Sequence, residues 1–315
     1  MKTLELEITD LCNEKCLHCY HPEHKDKGFI KDLEKLERML TEFGDLGFIH
    51  VVITGGEPLL HPDFKAICTI AQKHRYLISV KTNGMLVDDD VTEFFQELKP
   101  KTVEFSLYSA DKDEHDKITQ VAGSFDSTLR GIRLLNEHGV KISVMTPVLK
   151  GIKRWKELFK LMKEMNVPWG CSQNIHSSFD ERAEVENFKG TTDSYFDFLQ
   201  FVNGLENQEI KNIDDLCFKE CEGGISTVCV APDYSVRACI PFPDSAGIYT
   251  GGNCEELLKK ARKQLEERFA KLECHSCELV KYCNPCPAHM KIVDGAGICE
   301  QTKKEYVKAY LKFFS

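Results

Sequence analysis

The chain predicts an α/β fold built on a parallel sheet, and three observations carry that prediction. Short apolar stretches rich in β-branched residues recur six times between residues 3 and 175. Segments of helical period separate them, and Gly, Asn and Pro punctuate the connections. Strands that alternate with helices in this way pair in parallel through right-handed crossovers.

The first strand spans Thr3 to Thr9 and leads into the loop Cys12-Asn13-Glu14-Lys15-Cys16-Leu17-His18-Cys19-Tyr20. A helix follows, because Leu33, Leu36, Leu40, Phe43 and Leu46 fall on one face at helical spacing. The second strand, Ile49 to Thr54, is an apolar run that ends in Gly55-Gly56-Glu57-Pro58, a Gly-Gly turn followed by a carboxylate. The third, Leu77 to Thr82, closes on Asn83-Gly84, and the fourth, Thr102 to Leu107, closes on Ser106-Leu107-Tyr108-Ser109. A helix carrying Phe125, Leu129, Ile132 and Leu135 precedes the fifth strand, Lys141 to Thr146. In the next helix Trp155, Leu158, Phe159 and Met162 lie between the lysines of Lys150 to Lys163, which form its wet face rather than a nucleic-acid footprint. The sixth strand is Trp169 to Ile175. Beyond about residue 205 this rhythm stops and cysteine density rises, so the expected domains are 1–205 and 206–315.

Composition narrows the class. With 315 residues and 42% hydrophobic content, the chain buries a sizeable core. A net charge of -9 speaks against a nucleic-acid partner, and no apolar run approaches the ~18 residues of a membrane span. Fifteen cysteines without a secretory signal point to metal ligation in a reducing, cytoplasmic setting rather than to a disulfide framework.

Three thiolates spaced C-x3-C-x2-C on one loop, Cys12, Cys16 and Cys19, hold a [4Fe-4S] cube while leaving one iron open to a non-protein ligand. Zinc is the competing occupant, with His18 or His21 as its fourth ligand. In the second block, glycines permit close backbone approach to a ligand, and Glu57 can accept from an ammonium group. The loop and this block, in this order, resemble the radical S-adenosylmethionine (radical SAM) enzymes. The resemblance implies a partial (β/α)6 TIM-like barrel with ligands at the C-terminal ends of the strands. It also implies that SAM chelates the open iron, that Gly55, Gly56, Glu57 and Pro58 bind its methionine amine, and that Tyr20 packs on its adenine. Asn83 and Ser106 are expected at its ribose and carboxylate. Gln120 stands where many relatives carry Arg, which departs from the pattern.

The C-terminal cysteines resemble the SPASM extension of the same enzymes, which binds two auxiliary [4Fe-4S] clusters. By that resemblance Cys217, Cys221, Cys239 and Cys286 hold the inner cluster, and Cys274, Cys277, Cys283 and Cys299 the outer one, giving three clusters in all. Cys229 competes with Cys217 for its position. Ala231 to Val236 reads as a hairpin before Cys239. Two departures stand out: Tyr234 replaces a Gly, and Cys283 to Cys286 is one residue shorter than the pattern. A zinc ribbon of Cys274, Cys277, Cys283 and Cys286 is the alternative. Cys171, on a strand expected to line the barrel, is a candidate hydrogen-atom donor.

The function implied is reductive cleavage of SAM to a 5′-deoxyadenosyl radical that abstracts hydrogen from a ribosomally made peptide, giving a thioether or carbon-carbon crosslink or an epimer. A flavodoxin- or ferredoxin-type reductant is implied as partner. The first strand begins by residue 3, which leaves no N-terminal leader-binding domain and counts against a peptide substrate without removing it, since a separate protein can bind a leader. The alternatives are two-electron oxidation of a small molecule or protein side chain, and a non-enzymatic iron-sulfur or zinc module.

Overall fold

The structure is a computed structural model and describes residues 1–21, 28–152, 154–172, 183–205, 221–272, 277–279, 286, 288, 291–293, 296–298 and 301–314. Six parallel strands follow one another in sequence order: β1 (Lys2–Thr9), β2 (Phe48–Gly55), β3 (Leu77–Thr82), β4 (Thr102–Ser106), β5 (Ile142–Pro147) and β6 (Trp169–Ser172). The helices between them are α1 (Leu33–Asp45), α2 (Phe64–Lys73), α3 (Asp89–Leu98), α4 (Lys112–Thr119), α5 (Ser124–Glu137) and α6 (Trp155–Glu164). All six predicted strands form, the sixth over Trp169–Ser172, since residues 173–175 of its expected span lie outside the described residues. The 3.6-residue spacing in α1 buries Leu36, Met39, Leu40 and Phe43, and Asp32 caps the helix by accepting from the Lys35 amide at 2.8 Å.

Alternation along each strand separates two faces. Leu4, Leu6 and Ile8 of β1, Ile78 and Val80 of β3, and Val103 and Phe105 of β4 join the helices in one buried core. The inner face, turned from the helices, carries Glu5, Glu7, Lys81, Glu104 and Ser106 instead. A core that begins with so many inward charges on β1 needs a partner for them, and the C-terminal part of the chain supplies it.

After α7 (Ala183–Phe188) and α8 (Thr192–Leu205), strand β7 (Thr227–Val230) adds to the free edge of β1 in parallel, pairing Thr3 with Thr227 and Leu6 with Val230. Two antiparallel strands, β8 (Ser235–Arg237) and β9 (Gly247–Ile248), complete a nine-stranded sheet of order β6-β5-β4-β3-β2-β1-β7-β8-β9. The expected hairpin is present between β7 and β8, and Tyr234 occupies its left-handed position at φ 67° where the pattern has Gly. That backbone is costly for a bulky residue. The side chain offsets it through a 2.5 Å hydrogen bond from its hydroxyl to Asp32 O, and its ring lies 4.2 Å under the Lys35 ammonium. Helix α9 (Cys254–Ala270), the hairpin of β10 (Lys291–Val293) and β11 (Ala296–Ile298), and α10 (Gln301–Phe314) follow. Among the described residues no helix is long and apolar enough to cross a membrane.

Candidate active site

The C-terminal ends of β1 to β4 meet at one end of the sheet, and the cysteine loop leaves β1 there. Its backbone is held from two sides. On one side the Lys15 and Leu17 amides donate to Thr119 O and Ile118 O at the end of α4, both at 3.0 Å. On the other, the Gly56 amide donates to Thr9 O at 2.7 Å and the Glu57 amide to Leu11 O at 2.6 Å. The two glycines are needed for this contact. A Cβ on Gly56 would stand 2.3 Å from Leu11 O, and one on Gly55, whose φ is +142°, would stand 2.2 Å from Thr9 O. The close approach expected toward a ligand is thus made first to the backbone that carries Cys12.

Glu57 and Pro58 complete this junction. Pro58 opens the 3-10 turn Pro58–Leu60, and Glu57 caps it, accepting from the Leu59 amide at 3.1 Å. The same fully buried carboxylate accepts from the Thr82 hydroxyl and the Asn83 amide, both at 2.7 Å, and so ties the end of β2 to the end of β3. Burial pushes its pKa up to about 7 even against these three donors. Asn83 faces the loop: its side chain donates to Asn13 Oδ1 at 2.6 Å.

Within the loop the Cys16 thiol donates to Glu14 at 3.1 Å, and the Glu14 amide donates to Cys12 Sγ at 3.4 Å. Burial raises Cys12 to about 12 and holds Cys16 well above the usual thiol range. Glu14, also buried, is raised to about 7. Ser106 ends β4, and the hydroxyl of Tyr108, two residues on, lies 3.7 Å from Cys16 Sγ. Tyr20 stands beside Glu7, Cys229 and Arg237 on the inner face. There Arg237 of β8 pairs with Glu7, and His21 meets the same carboxylate at 3.2 Å. Burial pushes Glu7 up, but His21 and Arg237 outweigh it and leave the carboxyl below its ordinary value.

The donor set fits an iron-sulfur cluster. Three thiols, none in a disulfide, project from one loop. Among the described residues no three His, Cys, Asp or Glu side chains converge as a single ion requires. In the C-terminal part, Cys286 and Cys221 each lie within electrostatic reach of Cys239. The Ile240 amide, directly after Cys239, donates to Glu5 at 3.1 Å. Cys277 is described, whereas Cys217, Cys274, Cys283 and Cys299 lie outside the described residues.

Cys171 corrects an expectation. In β6 it pairs with Thr146, next to the Val144 and Trp169 pair, and packs with the cluster that includes Phe159, Phe198 and Phe201. Register partners in a parallel sheet share a face, so Cys171 points to the helices and Gly170, paired with Met145, takes the inner face. Three residues at the site were missed in the sequence. Glu14 had a signal, an acid between two cysteines. Tyr108 sat in a strand end read for its serines, and Arg237 offered no local signal at all.

The family model of the radical SAM superfamily matches residues 6–165. The chain is 25% identical over 245 residues to the antilisterial bacteriocin subtilosin biosynthesis protein AlbA of Bacillus subtilis, covering 75% of this chain and 54% of AlbA. It is 22% identical over 342 aligned positions to the AdoMet-dependent heme synthase of Nitratidesulfovibrio vulgaris, covering 97% of this chain and 92% of that protein. It spans about half the length of the first curated relatives it matches. Among solved structures, native anSMEcpe with bound AdoMet superposes with a TM-score of 0.76 at 21% identity, covering 99% of this chain and 96% of that one. Streptococcus suis SuiB bound to S-adenosylmethionine gives 0.70 at 17% identity, covering 96% and 77%. A match over half the chain, with its cysteines on one loop at the strand ends, makes this protein a member of the radical SAM superfamily, enzymes that cleave S-adenosylmethionine.

Proposed function

We propose that the protein uses SAM to modify a ribosomally made peptide by hydrogen abstraction, closing a thioether or carbon-carbon crosslink or inverting a stereocentre. The observation that carries this reading is the extension of the fold over the whole chain. It resembles anSMEcpe solved with the Cp18Cys peptide (TM-score 0.74, 99% of this chain) and SuiB solved with its precursor peptide SuiA (TM-score 0.68, 96%). Sequence similarity to a bacteriocin biosynthesis protein supports it. When bound to Cys12, Cys16 and Cys19, the cluster supplies the electron that cleaves SAM. The chain's own part is to hold and orient. Gly55 and Gly56 lock the β2 end against the cysteine loop, Glu57 fixes β3 to it, and Asn83 orders Asn13. Backbone and hydroxyl groups at these strand ends are the candidate contacts for SAM, with Tyr20 and Ser106 at the margin.

Residues 206–315 are proposed as an auxiliary-cluster domain. Cys221, Cys239 and Cys286 with Cys217 would hold an inner cluster, and Cys274, Cys277, Cys283 and Cys299 an outer one. The electrostatic reach of Cys221 and Cys286 to Cys239 supports the inner set. A second reading, oxidation of a small molecule, is favoured by the match to AdoMet-dependent heme synthase over 92% of its length. Anaerobic reconstitution tests the two. Protein, SAM and a flavodoxin-type reductant are combined with a candidate Cys-rich or Gly-rich precursor peptide and, in parallel, with a porphyrin, and the products are analysed by mass spectrometry and chiral amino-acid analysis. A peptide lighter by two hydrogens, or of equal mass with altered stereochemistry, is expected. An unchanged peptide alongside an oxidised porphyrin would sink the first reading in favour of the second. SAM cleavage by the Cys12→Ala, Cys16→Ala, Cys19→Ala triple variant would end both.

A further inference from the structure

Two side chains touch the sulfur of Cys16, and they respond to ligation in opposite ways. Glu14 lies 3.1 Å away and accepts from the thiol, while the Tyr108 hydroxyl lies 3.7 Å away. A cluster ligand is a thiolate, so the S–H that Glu14 accepts is gone. Only the hydroxyl can hydrogen-bond the sulfur that remains.

Tyr108 is held for that role from three sides. Its ring stacks on His115 at 5.3 Å between centroids and meets the edge of His18 at 4.7 Å. Its amide donates to His115 Nδ1 at 3.2 Å, which fixes the fully buried imidazole as the Nε2–H tautomer. Burial keeps that ring neutral, with its pKa lowered to about 4.

We propose that Tyr108 is a positioning residue whose hydroxyl donates to the Cys16 sulfur of the cluster-loaded protein, and that this hydrogen bond raises the reduction potential of the N-terminal cluster. Hydrogen bonds to the ligating sulfurs are among the determinants of a cluster's potential. Reduction adds negative charge, and a donor to charged sulfur stabilises the reduced form more than the oxidised one. The proposal depends on the family's N-terminal cluster alone and not on the identity of the substrate.

Redox titration followed by electron paramagnetic resonance tests it on the reconstituted full chain without SAM or substrate. The signal to follow is the one absent from the Cys12→Ala, Cys16→Ala, Cys19→Ala protein. Tyr108→Phe, which keeps the ring and removes the donor, is expected to hold the native iron content and to titrate at a more negative midpoint. A Tyr108→Phe protein with full iron and an unmoved or more positive midpoint overturns the proposal. Should Tyr108→Phe take up no cluster, 3-fluorotyrosine at position 108, a stronger donor of the same shape, decides it: a more positive midpoint at native iron content upholds the hydrogen bond, and an unmoved midpoint overturns it.

Discussion

Glu57 is a carboxylate with no exposed surface, and its proton has consequences for stability. Its folded pKa, raised to about 7 by burial, lies above the unfolded value of 4.5, so the native state binds the proton more tightly. The resulting stabilisation is fully present below about pH 4.5 and is lost as pH rises to about 7. The gap is worth roughly 3 kcal/mol at ~1.4 kcal/mol per unit. Glu14, raised to about 7 by the same cause, adds to the slope. Urea midpoints of the cofactor-free protein should therefore fall between pH 5 and pH 7.5, and Glu57→Gln should flatten that fall by about half. A variant with the native slope would remove Glu57 from this account. Gly56 is equally constrained. Gly56→Ala forces a Cβ against two carbonyls of the cysteine loop, and opening that contact breaks the Glu57 amide bond to Leu11. A loss on the order of 3 kcal/mol and poor iron retention after reconstitution are expected, read by thermal melting and iron assay. The turn itself was legible, since Gly-Gly-Glu-Pro has a clear local conformation. What Glu57 accepts from was not, because Thr82 and Asn83 arrive from another strand.

At the scale of elements, β1 is the strand on which the molecule turns. Its inner-face Glu7 is 1% exposed and its partner Arg237 comes from β8. Breaking a buried pair by removing one partner typically costs about 3–5 kcal/mol, because the other charge stays behind. Arg237→Met is predicted to cost that much, and Glu7→Gln added to it should recover more than half. A double-mutant cycle in urea measures this, and strictly additive losses would contradict the pairing. The six strands were readable because each is an apolar run of ordinary length between turn residues. Which residues of β6 face inward was not readable. A strand shifted by one residue exchanges its faces, and the register of Trp169–Ser172 is set by β5 and by the packing of Trp169 on Phe159 and Phe201. Cys171 was misread for that reason.

For the whole molecule the decisive quantity is metal content. Three cubane clusters require about 12 Fe and 12 sulfide per chain, whereas a zinc ribbon in the C-terminal part gives about 4 Fe and one Zn. Elemental analysis of the Cys12→Ala, Cys16→Ala, Cys19→Ala protein separates them. About 8 Fe with visible absorption is expected from two remaining clusters, and a colourless zinc protein would eliminate both auxiliary clusters. Cysteine spacing announced that part of the chain would bind metal, but nothing local announced that β7 would pair with β1. Parallel pairing across more than two hundred residues leaves no mark in the sequence of either strand, since both are simply short and apolar.

The placement of β1 between β2 and β7 also dictates a delay during biosynthesis. Its first edge can be covered once residue 55 has left the ribosome, but its second must wait for residue 230. At ordinary ribosomal elongation speeds, that interval is roughly ten to thirty seconds. Throughout it the nascent chain presents an open parallel edge, a template for any passing strand. Glu5 and Glu7, still unmatched by the arginine that will later bury one of them, place two negative charges beside that edge, so the residues that anchor the finished sheet also guard the unfinished one.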